Sequence, residues 1–251
     1  MTVALAGRGT LGVLGGMGPL ASAEFLRSIY ELNLAEREQD MPRVLLDSDP
    51  GFPDRTESLH GAAGELITRR LATGLGELLD RGATRVVLAC FTAHHFLDEL
   101  ELDTRAQLVS LVDLALDQLA GSTGRFLMLS TVGTSRARIF QSSPAWPHVA
   151  DRVLFPSPDD QELVHRLVYR MKRAGALPEV VPSVAAMMAR YDCTGVVLGC
   201  TEFHLVSREL VAALGARNVV DALRSLALRL GEFLAAPADL VAPADLATSA
   251  G

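Results

Sequence analysis

Two segments of the sequence each bring a cysteine, a threonine and a histidine close together. VVLACFTAHHF contains Cys90, and VVLGCTEFHL contains Cys200. In each segment an apolar, β-branched run ends at the cysteine, a threonine follows within two residues, and a histidine stands four residues after the cysteine. Because such a run predicts a buried strand, each cysteine is expected between the carboxyl end of a strand and the amino end of a helix.

A cysteine in that position can serve as an acid or a base. The partial positive charge of a helix amino end stabilises a thiolate, and an ordinary thiol pKa of about 8.5 needs little lowering for a base near neutral pH. A thiolate and a thiol on opposite faces of one carbon would allow racemisation next to a carboxylate. A lone buried cysteine is more often a core residue, which we expect for Cys193, but the matched contexts of Cys90 and Cys200 favour a catalytic pair.

The repeated Cys-x-x-x-His spacing leaves the roles of His94 and His204 open. These histidines could tune the thiols, or they could line a cleft or cap a helix. Zinc is a further alternative, but structural zinc sites use short spacings within small loop-rich units. We therefore predict no metal.

Turns rich in glycine and hydroxyl groups follow two other predicted strands. LGVLGGMGP places Gly16 and Met17 in a tight strand-to-helix turn, whose backbone N–H groups suit a small carboxylate. This turn lacks the Lys-Ser/Thr of a nucleotide-binding P-loop. STVGT places Thr131 and Thr134 at the equivalent position of the second half of the chain, where they supply hydroxyl donors.

Two basic residues and two threonines extend the candidate site. Arg55 lies in the turn-rich segment DSDPGFPDRT, where its guanidinium could clamp a carboxylate with two hydrogen bonds. Lys172 is a comparable candidate, although its helical setting favours a solvated position. Thr92 and Thr201 follow the cysteines and either stabilise an enolate-like transition state or cap helices.

Apolar strands alternate with amphipathic helices along the chain, which predicts parallel sheets covered by helices. The order of strand and loop, strand, helices, and strand with cysteine occurs twice at nearly the same spacing. The predicted fold is therefore α/β, with two similar doubly wound parallel-sheet domains of the flavodoxin or Rossmann kind.

The predicted domain boundaries follow from this repeat. Residues 1–104 plus 219–234 form the first domain, which carries Cys90, and residues 105–218 form the second, which carries Cys200. Residues 97–119 are predicted to be helical, with a break around Leu102 and Asp103. The tail, residues 235–251, repeats APADL and is predicted to be disordered.

Composition excludes several functional classes. The 251 residues are 49% hydrophobic and 21% charged, as in ordinary globular chains. A formal net charge of −7 argues against nucleic acid as the main partner. No uncharged apolar stretch approaches the ~20 residues of a membrane helix, the N-terminus lacks the features of a signal peptide, and three cysteines do not suggest a disulfide framework. We expect a cytoplasmic protein with no membrane partner.

Together, LGVLGGMGPLASAEF, FPDRT, VVLACFTAHHF, STVGT and VVLGCTEF resemble the pyridoxal-independent aspartate/glutamate racemase superfamily, most closely its aspartate racemase branch. The resemblance implies two domains related by a pseudo-two-fold axis, a small carboxylate substrate between them, no cofactor and, in many members, a homodimer. It implies that Cys90 and Cys200 are the catalytic acid and base. Thr92 and Thr201 would bind the α-carboxylate, and Arg55 a side-chain carboxylate. The remaining substrate-binding candidates are Gly16, Met17, Phe91, Thr131, Thr134 and Glu202.

Two positions depart from the pattern of this superfamily. Phe91 stands where members usually have an asparagine that holds the amino-acid head group, and His204 stands where the branch more often has proline. An unmatched buried polar partner costs about 1–3 kcal/mol, so Phe91 either turns outward or lines a more apolar substrate pocket.

Three functions are therefore considered. The first is a cofactor-independent racemase or epimerase acting on an aspartate- or glutamate-type amino acid. The second is a repurposed member that isomerises, decarboxylates or cyclises a more apolar carboxylate. The third is a non-catalytic ligand-binding protein, which would leave the two matched thiols unexplained.

Overall fold

The computed structural model describes residues 9–235. Within this range, eight strands form two four-stranded parallel sheets, flanked by helices. The strands are β1 (Thr10–Gly15), β2 (Arg43–Ser48), β3 (Arg85–Leu88), β4 (Leu108–Val109), β5 (Phe126–Ser130), β6 (Val153–Leu154), β7 (Gly195–Gly199) and β8 (Val219–Val220). The predicted α/β fold with two parallel sheets is confirmed.

The helices cover the faces of both sheets, and short 3₁₀ segments connect several elements. The α-helices are α1 (Pro19–Leu32), α2 (Gly61–Asp80), α3 (Leu102–Gln107), α4 (Leu111–Ala120), α5 (Val132–Arg136), α6 (Pro158–Ala174), α7 (Val180–Arg190), α8 (Ser207–Leu214), α9 (Ala222–Leu228) and α10 (Leu230–Leu234). Two of the 3₁₀ segments, Thr92–Glu99 and Thr201–Val206, directly follow the cysteine strands.

Both sheets have the same strand order. The first is β2-β1-β3-β4 and the second β6-β5-β7-β8, and every pairing is parallel. We call each sheet, with the loops at its edges and the helices on its faces, a half of the molecule. In such sheets a ligand binds beyond the carboxyl ends of the strands where the order reverses, here between β1 and β3 and between β5 and β7. Cys90 and Cys200 stand at these ends.

The two halves share one apolar core. Residues of β1, β5 and β7 are buried along their length, as expected of strands covered on both faces. One continuous cluster joins Leu11 and Val87 of the first sheet to Phe126 and Val197 of the second, together with buried side chains of α1, α4 and α9. Two further clusters pack α2 on the first sheet and α6 and α7 on the second.

Two short strands lie in a different sheet from the one that the predicted boundaries imply. β4 falls within residues 105–218, yet it pairs with β3 of the first sheet. β8 falls within residues 219–234, yet it pairs with β7 of the second sheet. β4 also interrupts the stretch 97–119, which was expected to be helical. Sequence reasoning missed this strand because two residues are too few to show a strand pattern.

Two further predictions were that the chain has no membrane-spanning helix and that its C-terminal tail is disordered. In the part of the chain that the structure describes, no helix has the length and apolar character needed to span a membrane. Residues 236–251 of the predicted disordered tail lie outside the described residues.

His204 joins three elements through buried hydrogen bonds. Its Nδ1 lies 2.7 Å from Asp221 Oδ2 and its Nε2 lies 2.9 Å from Ser28 Oγ on α1. Asp221 also caps α9, because its Oδ1 accepts hydrogen bonds from the backbone N–H groups of Leu223 and Arg224. Burial alone would raise the pKa of Asp221, but His204 and the hydrogen bonds outweigh burial, so this pKa lies below its usual value.

We expect Asp221→Asn to lower the free energy of unfolding by about 2–4 kcal/mol at neutral pH, because it removes the charge that faces buried His204. Since the pKa of Asp221 is lower in the folded than in the unfolded state, its contribution is present above the unfolded pKa and is lost as pH falls through the folded pKa. Urea unfolding across this range checks both points, with exposed Asp80→Asn as the control. An equal difference at neutral and strongly acid pH would contradict the prediction.

Candidate active site

Both cysteines line one small pocket between the two halves. Its volume is about 10 Å³, near the minimum for a single water molecule. The lining residues are Met17, Asp54, Arg55, Thr56, Cys90, Phe91, Thr92, Thr131, Lys172, Cys200, Thr201 and Glu202. They come from the turn after β1, the loop after β2, the segments after β3, β5 and β7, and α6. All except the helical residue lie at carboxyl ends of strands, as the topology requires.

The thiol of Cys200 has a carboxylate partner. Cys200 Sγ lies 2.8 Å from Glu202 Oε2 as the hydrogen-bond donor, and both side chains are buried. Burial, followed by the charge of Glu202, raises the pKa of Cys200 well above its ordinary value, and Lys172 offsets this only in part. Burial and Glu202 therefore both favour the protonated thiol of Cys200. Cys90 is buried to the same extent, 6% exposed in both cases.

Three threonine hydroxyls form a triangle beside Cys90. Thr92 Oγ1 lies 3.1 Å from Thr131 Oγ1 and 2.8 Å from Thr134 Oγ1, and the last two oxygens are 3.0 Å apart. Thr131 also caps α5 by accepting the N–H of Thr134. Gly133 allows this close approach, because a Cβ there would stand 3.0 Å from Thr92 Cγ2. The triangle joins the Cys90 segment to the second half.

Thr201 makes the reciprocal contact. Its hydroxyl donates to the carbonyl oxygen of Ala89, at 3.2 Å, in the first half. Neither Thr92 nor Thr201 caps a helix with its side chain, so the capping alternative considered for them is not what the structure shows.

Arg55 is a buried cation held by backbone carbonyls. Its NH1 donates to Pro53 O at 2.7 Å and its NH2 donates to Met17 O at 2.8 Å. Its Nε is buried and has no hydrogen-bond partner among the described residues. The guanidinium therefore brings fixed positive charge to the pocket with donor capacity to spare, which suits an anionic ligand.

A hydrogen bond closes one side of the pocket. Tyr169 of α6 donates to Asp54 Oδ2 at 2.6 Å across the two halves. Burial on its own would raise the pKa of Asp54, but the Tyr169 hydroxyl and the charges of Lys172 and Arg55 hold it below its usual value. The same carboxylate, through Oδ1, accepts the N–H of Thr56, which fixes the loop that carries Arg55.

Phe91 faces the pocket and is also part of the core that the two halves share. It is 3% exposed, and its ring centroid lies 5.1 Å from that of Phe140. Of the two positions expected for it, the outward one is not observed, because Phe91 is buried and contributes an apolar wall beside Cys90.

Three predicted site residues stand behind the pocket wall. The N–H of Gly16 donates to Ser22 Oγ at 3.0 Å, so that donor is occupied, and the φ of Gly16, 87°, needs glycine. Thr134 reaches the pocket only through the triangle. His204 is occupied by Asp221 and Ser28, as described above.

His94 lines a separate and larger cavity of about 390 Å³. Its Nδ1 lies 2.8 Å from the carbonyl oxygen of Cys90, and its Nε2 is buried without a partner among the described residues. Burial lowers the pKa of His94 to about 4, although the Cys90 carbonyl and Asp113 oppose this. The ring is therefore neutral at pH 7, with its hydrogen on Nδ1. In residues 9–235 no group of three or more His, Cys, Asp or Glu side chains is arranged to hold a metal ion.

The structure adds residues that sequence reasoning missed or discounted. Asp54 and Thr56 flank Arg55 in the sequence, and the turn-forming composition of that loop was the only sign of them. Lys172 was expected to be solvated, but its side chain is 19% exposed and its Nζ lies 3.9 Å from Glu202 Oε1. Tyr169 and Lys172 stand three residues apart on one face of α6, so the helical period could have placed them together.

The sequence matches the model of the Asp/Glu/Hydantoin racemase family over residues 14–229. The chain belongs to this family. It is accordingly an isomerase of the racemase type, as the sequence motifs predicted.

Solved racemases share the fold of this family member. Picrophilus torridus aspartate racemase superposes with a TM-score of 0.73 at 22% identity, covering 92% of this chain and 100% of that one. Francisella tularensis glutamate racemase, solved with D-glutamate, gives 0.60 at 16%, covering 92% and 84%. Klebsiella pneumoniae allantoin racemase gives 0.52 at 15%, covering 96% of each chain.

We expect Tyr169→Phe to lower the free energy of unfolding of this racemase by about 1–2 kcal/mol, because it removes a hydrogen bond to a carboxylate. The pKa of Asp54 should rise toward its ordinary value, because Tyr169 is one of the groups that lower it. Urea unfolding measures the first effect, and Tyr30→Phe, a half-buried tyrosine on α1, is the matched control. Equal stability of Tyr169→Phe and the wild-type protein would show that the cross-half bond contributes nothing.

Proposed function

We propose that the protein is a cofactor-independent racemase or epimerase of amino acids or their derivatives, with Cys90 and Cys200 as the acid/base pair. The observation that carries this proposal is that both cysteines, at equivalent strand ends of two sheets with the same strand order, line one pocket. Membership in a racemase family supports the reaction class.

In the proposed reaction, one proton leaves the carbon next to the carboxylate and another proton is added to that carbon. The thiolate of one cysteine takes the proton from the carbon next to the carboxylate, and the electron pair of the C–H bond passes into an enolate-like carbanion. The thiol of the other cysteine then donates its proton to the opposite face. One S–H bond forms and another breaks, so the two sulfur atoms exchange protonation states, and the reverse reaction starts from the exchanged state.

The pocket supplies donors for the negative charge of such a substrate. Arg55 is a fixed cation with a free buried Nε among the described residues, and a fixed donor lowers the barrier because it needs no reorganisation during the reaction. Thr92, Thr131 and Thr201 line the same pocket, and Thr201 would release its hydrogen bond to Ala89 O when it binds a carboxylate. These residues are proposed to bind a small carboxylate substrate, with Thr92 and Thr201 on the α-carboxylate. The aspartate and glutamate racemases among the solved neighbours agree with that substrate class.

We expect Cys90→Ala and Cys200→Ala each to lower racemisation by at least about 10³-fold, since general acid–base catalysis contributes roughly 10²–10⁴-fold. Each variant should retain hydrogen–deuterium exchange with only one enantiomer, and the two variants with opposite ones, because one thiol still serves one face. Proton NMR of candidate L- and D-amino acids in deuterated water measures exchange, and chiral chromatography measures racemisation.

Cys193→Ala is the matched control, because Cys193 lies outside the pocket, where its thiol contacts Tyr191 O. This variant should racemise at the wild-type rate. Racemisation that survives both Cys90→Ala and Cys200→Ala would overturn the two-thiol mechanism.

The alternative is a different reaction (isomerisation, decarboxylation or cyclisation) on a carboxylate that is more apolar than aspartate. The position of Phe91 favours an apolar substrate, because its ring and Met17 give the pocket two apolar walls. A retained pair of cysteines favours racemisation, since chemistry on one face needs one of them.

We expect Phe91→Asn to raise kcat/KM for aspartate relative to an apolar amino acid, because an amide at this position can bond to a polar head group. Phe91→Leu is the control, since it keeps the wall apolar and should show no gain. Chiral chromatography with aspartate and leucine as paired substrates gives the ratio. A wild-type protein that already prefers aspartate, with a loss in Phe91→Asn, would contradict an apolar substrate.

Two further points complete the proposal. A homodimer is expected because the resemblance implies one in many members, and sedimentation equilibrium would test it. A cytoplasmic location is expected from the free cysteines, which suit a reducing compartment.

A further inference from the structure

The two cysteines have different electrostatic neighbours although they occupy equivalent strand ends. Two residues after Cys90 stands Thr92, whose hydroxyl joins a neutral triangle. Two residues after Cys200 stands Glu202, whose carboxylate accepts the hydrogen bond of the thiol at 2.8 Å. The repeat in the fold is therefore broken two residues after each cysteine.

Glu202 is a buried carboxylate whose two partners in the described range are the Cys200 thiol and the Lys172 ammonium. It is 2% exposed, and its Oε1 makes no hydrogen bond to any residue in the described range. Space for this oxygen is provided by Gly18, where a Cβ would stand 2.8 Å away. A buried carboxylate is costly unless it is paired, and the nearest cation, Lys172 Nζ, is 3.9 Å from Oε1. The hydrogen bond to Cys200 is the shorter of these two contacts.

We propose that Glu202 is a positioning residue that keeps Cys200 protonated in the resting enzyme, so that Cys200 begins the reaction as proton donor and Cys90 as base. This inference rests on the two-cysteine reaction proposed above. It also says which enantiomer binds productively to the resting form, namely the one whose α-hydrogen faces Cys90.

The charges around Cys200 act in opposite directions. Lys172 of α6 and Arg55 of the loop after β2 are cations that favour the thiolate. Asp54 in that loop and Glu202 are anions that favour the thiol, and Glu202 alone is hydrogen bonded to it. Cys90, the remaining ionisable residue of the pocket lining, lies at the end of β3. His204 is hydrogen bonded to Asp221 and does not line the pocket. Burial adds to the effect of Glu202 and raises the pKa of Cys200.

Alkylation rates of the individual cysteines test this assignment without requiring a known substrate. Thiolates react with iodoacetamide and thiols do not, and Cys90 and Cys200 are equally exposed. Mass spectrometry of the cysteine peptides over a pH series gives a rate for each residue. In the wild-type protein Cys90 should react faster than Cys200 near neutral pH.

Two substitutions should move the Cys200 rate in opposite directions. Glu202→Gln removes the negative charge and should shift the Cys200 profile down by about one pH unit, which is a roughly tenfold faster reaction near neutrality. Lys172→Met removes the opposing cation and should slow the reaction. Loosening of the fold would raise the Cys200 alkylation rate in both variants. Changes of that rate in opposite directions therefore distinguish an electrostatic effect from a structural one.

Glu209→Gln, an exposed carboxylate on α8, is the matched control and should leave the Cys200 profile unchanged. A Cys200 rate that exceeds the Cys90 rate in the wild-type protein, or that is unchanged in Glu202→Gln, would overturn the proposal. If Glu202→Gln does not fold, two measurements still test the proposal. They are the relative alkylation rates of Cys90 and Cys200 in the wild-type protein, and the direction in which Lys172→Met changes the Cys200 rate. Failure of racemisation would count against the proposed function and leave the measured order of the two thiols standing.

Discussion

The hydroxyl of Thr201 donates to the carbonyl of Ala89, the residue before the cysteine of the other half. In return, Thr92 bonds to Thr131 and Thr134 across the same boundary. Each half thus holds the cysteine loop of the other, and the shared apolar core gives both a common base. The proposed proton transfer would depend on this arrangement, because a misplacement of about 1 Å between reacting groups costs roughly 10²-fold in rate.

Sequence patterns were sufficient for the strands that carry the cysteines but not for all their partners. A continuous apolar run of a parallel strand is visible in the sequence, and its carboxyl end marks the binding edge, so Cys90, Arg55 and Thr131 were expected at this edge, where they line one pocket. β4 and β8 have two residues each, which leaves no pattern to assign them to a sheet. Lys172 was placed in solvent because the helical period shows that α6 has two faces but not what packs on them.

Equal spacing in the sequence does not mean equal chemistry. His94 and His204 both stand four residues after a cysteine, yet His204 links Asp221 to Ser28 in a buried joint, and His94 bonds to a backbone carbonyl beside another cavity. A duplicated fold supplies equivalent positions, and the surroundings of each position decide its role. Glu202 and Thr92 illustrate the same divergence next to the sulfur atoms.

The volume of the pocket also has a thermodynamic consequence. A space of about 10 Å³ is too small for the proposed amino-acid substrate, so the proposal requires the two halves to separate, and the Tyr169–Asp54 bond crosses the boundary that would open. When the open state is a minor population, the apparent dissociation constant exceeds the intrinsic one by the inverse of that population. In the proposed mechanism, tighter closure would align the two thiols better but weaken the apparent affinity for substrate. Turnover at saturating substrate and binding at low substrate concentration would therefore respond to this boundary in opposite directions.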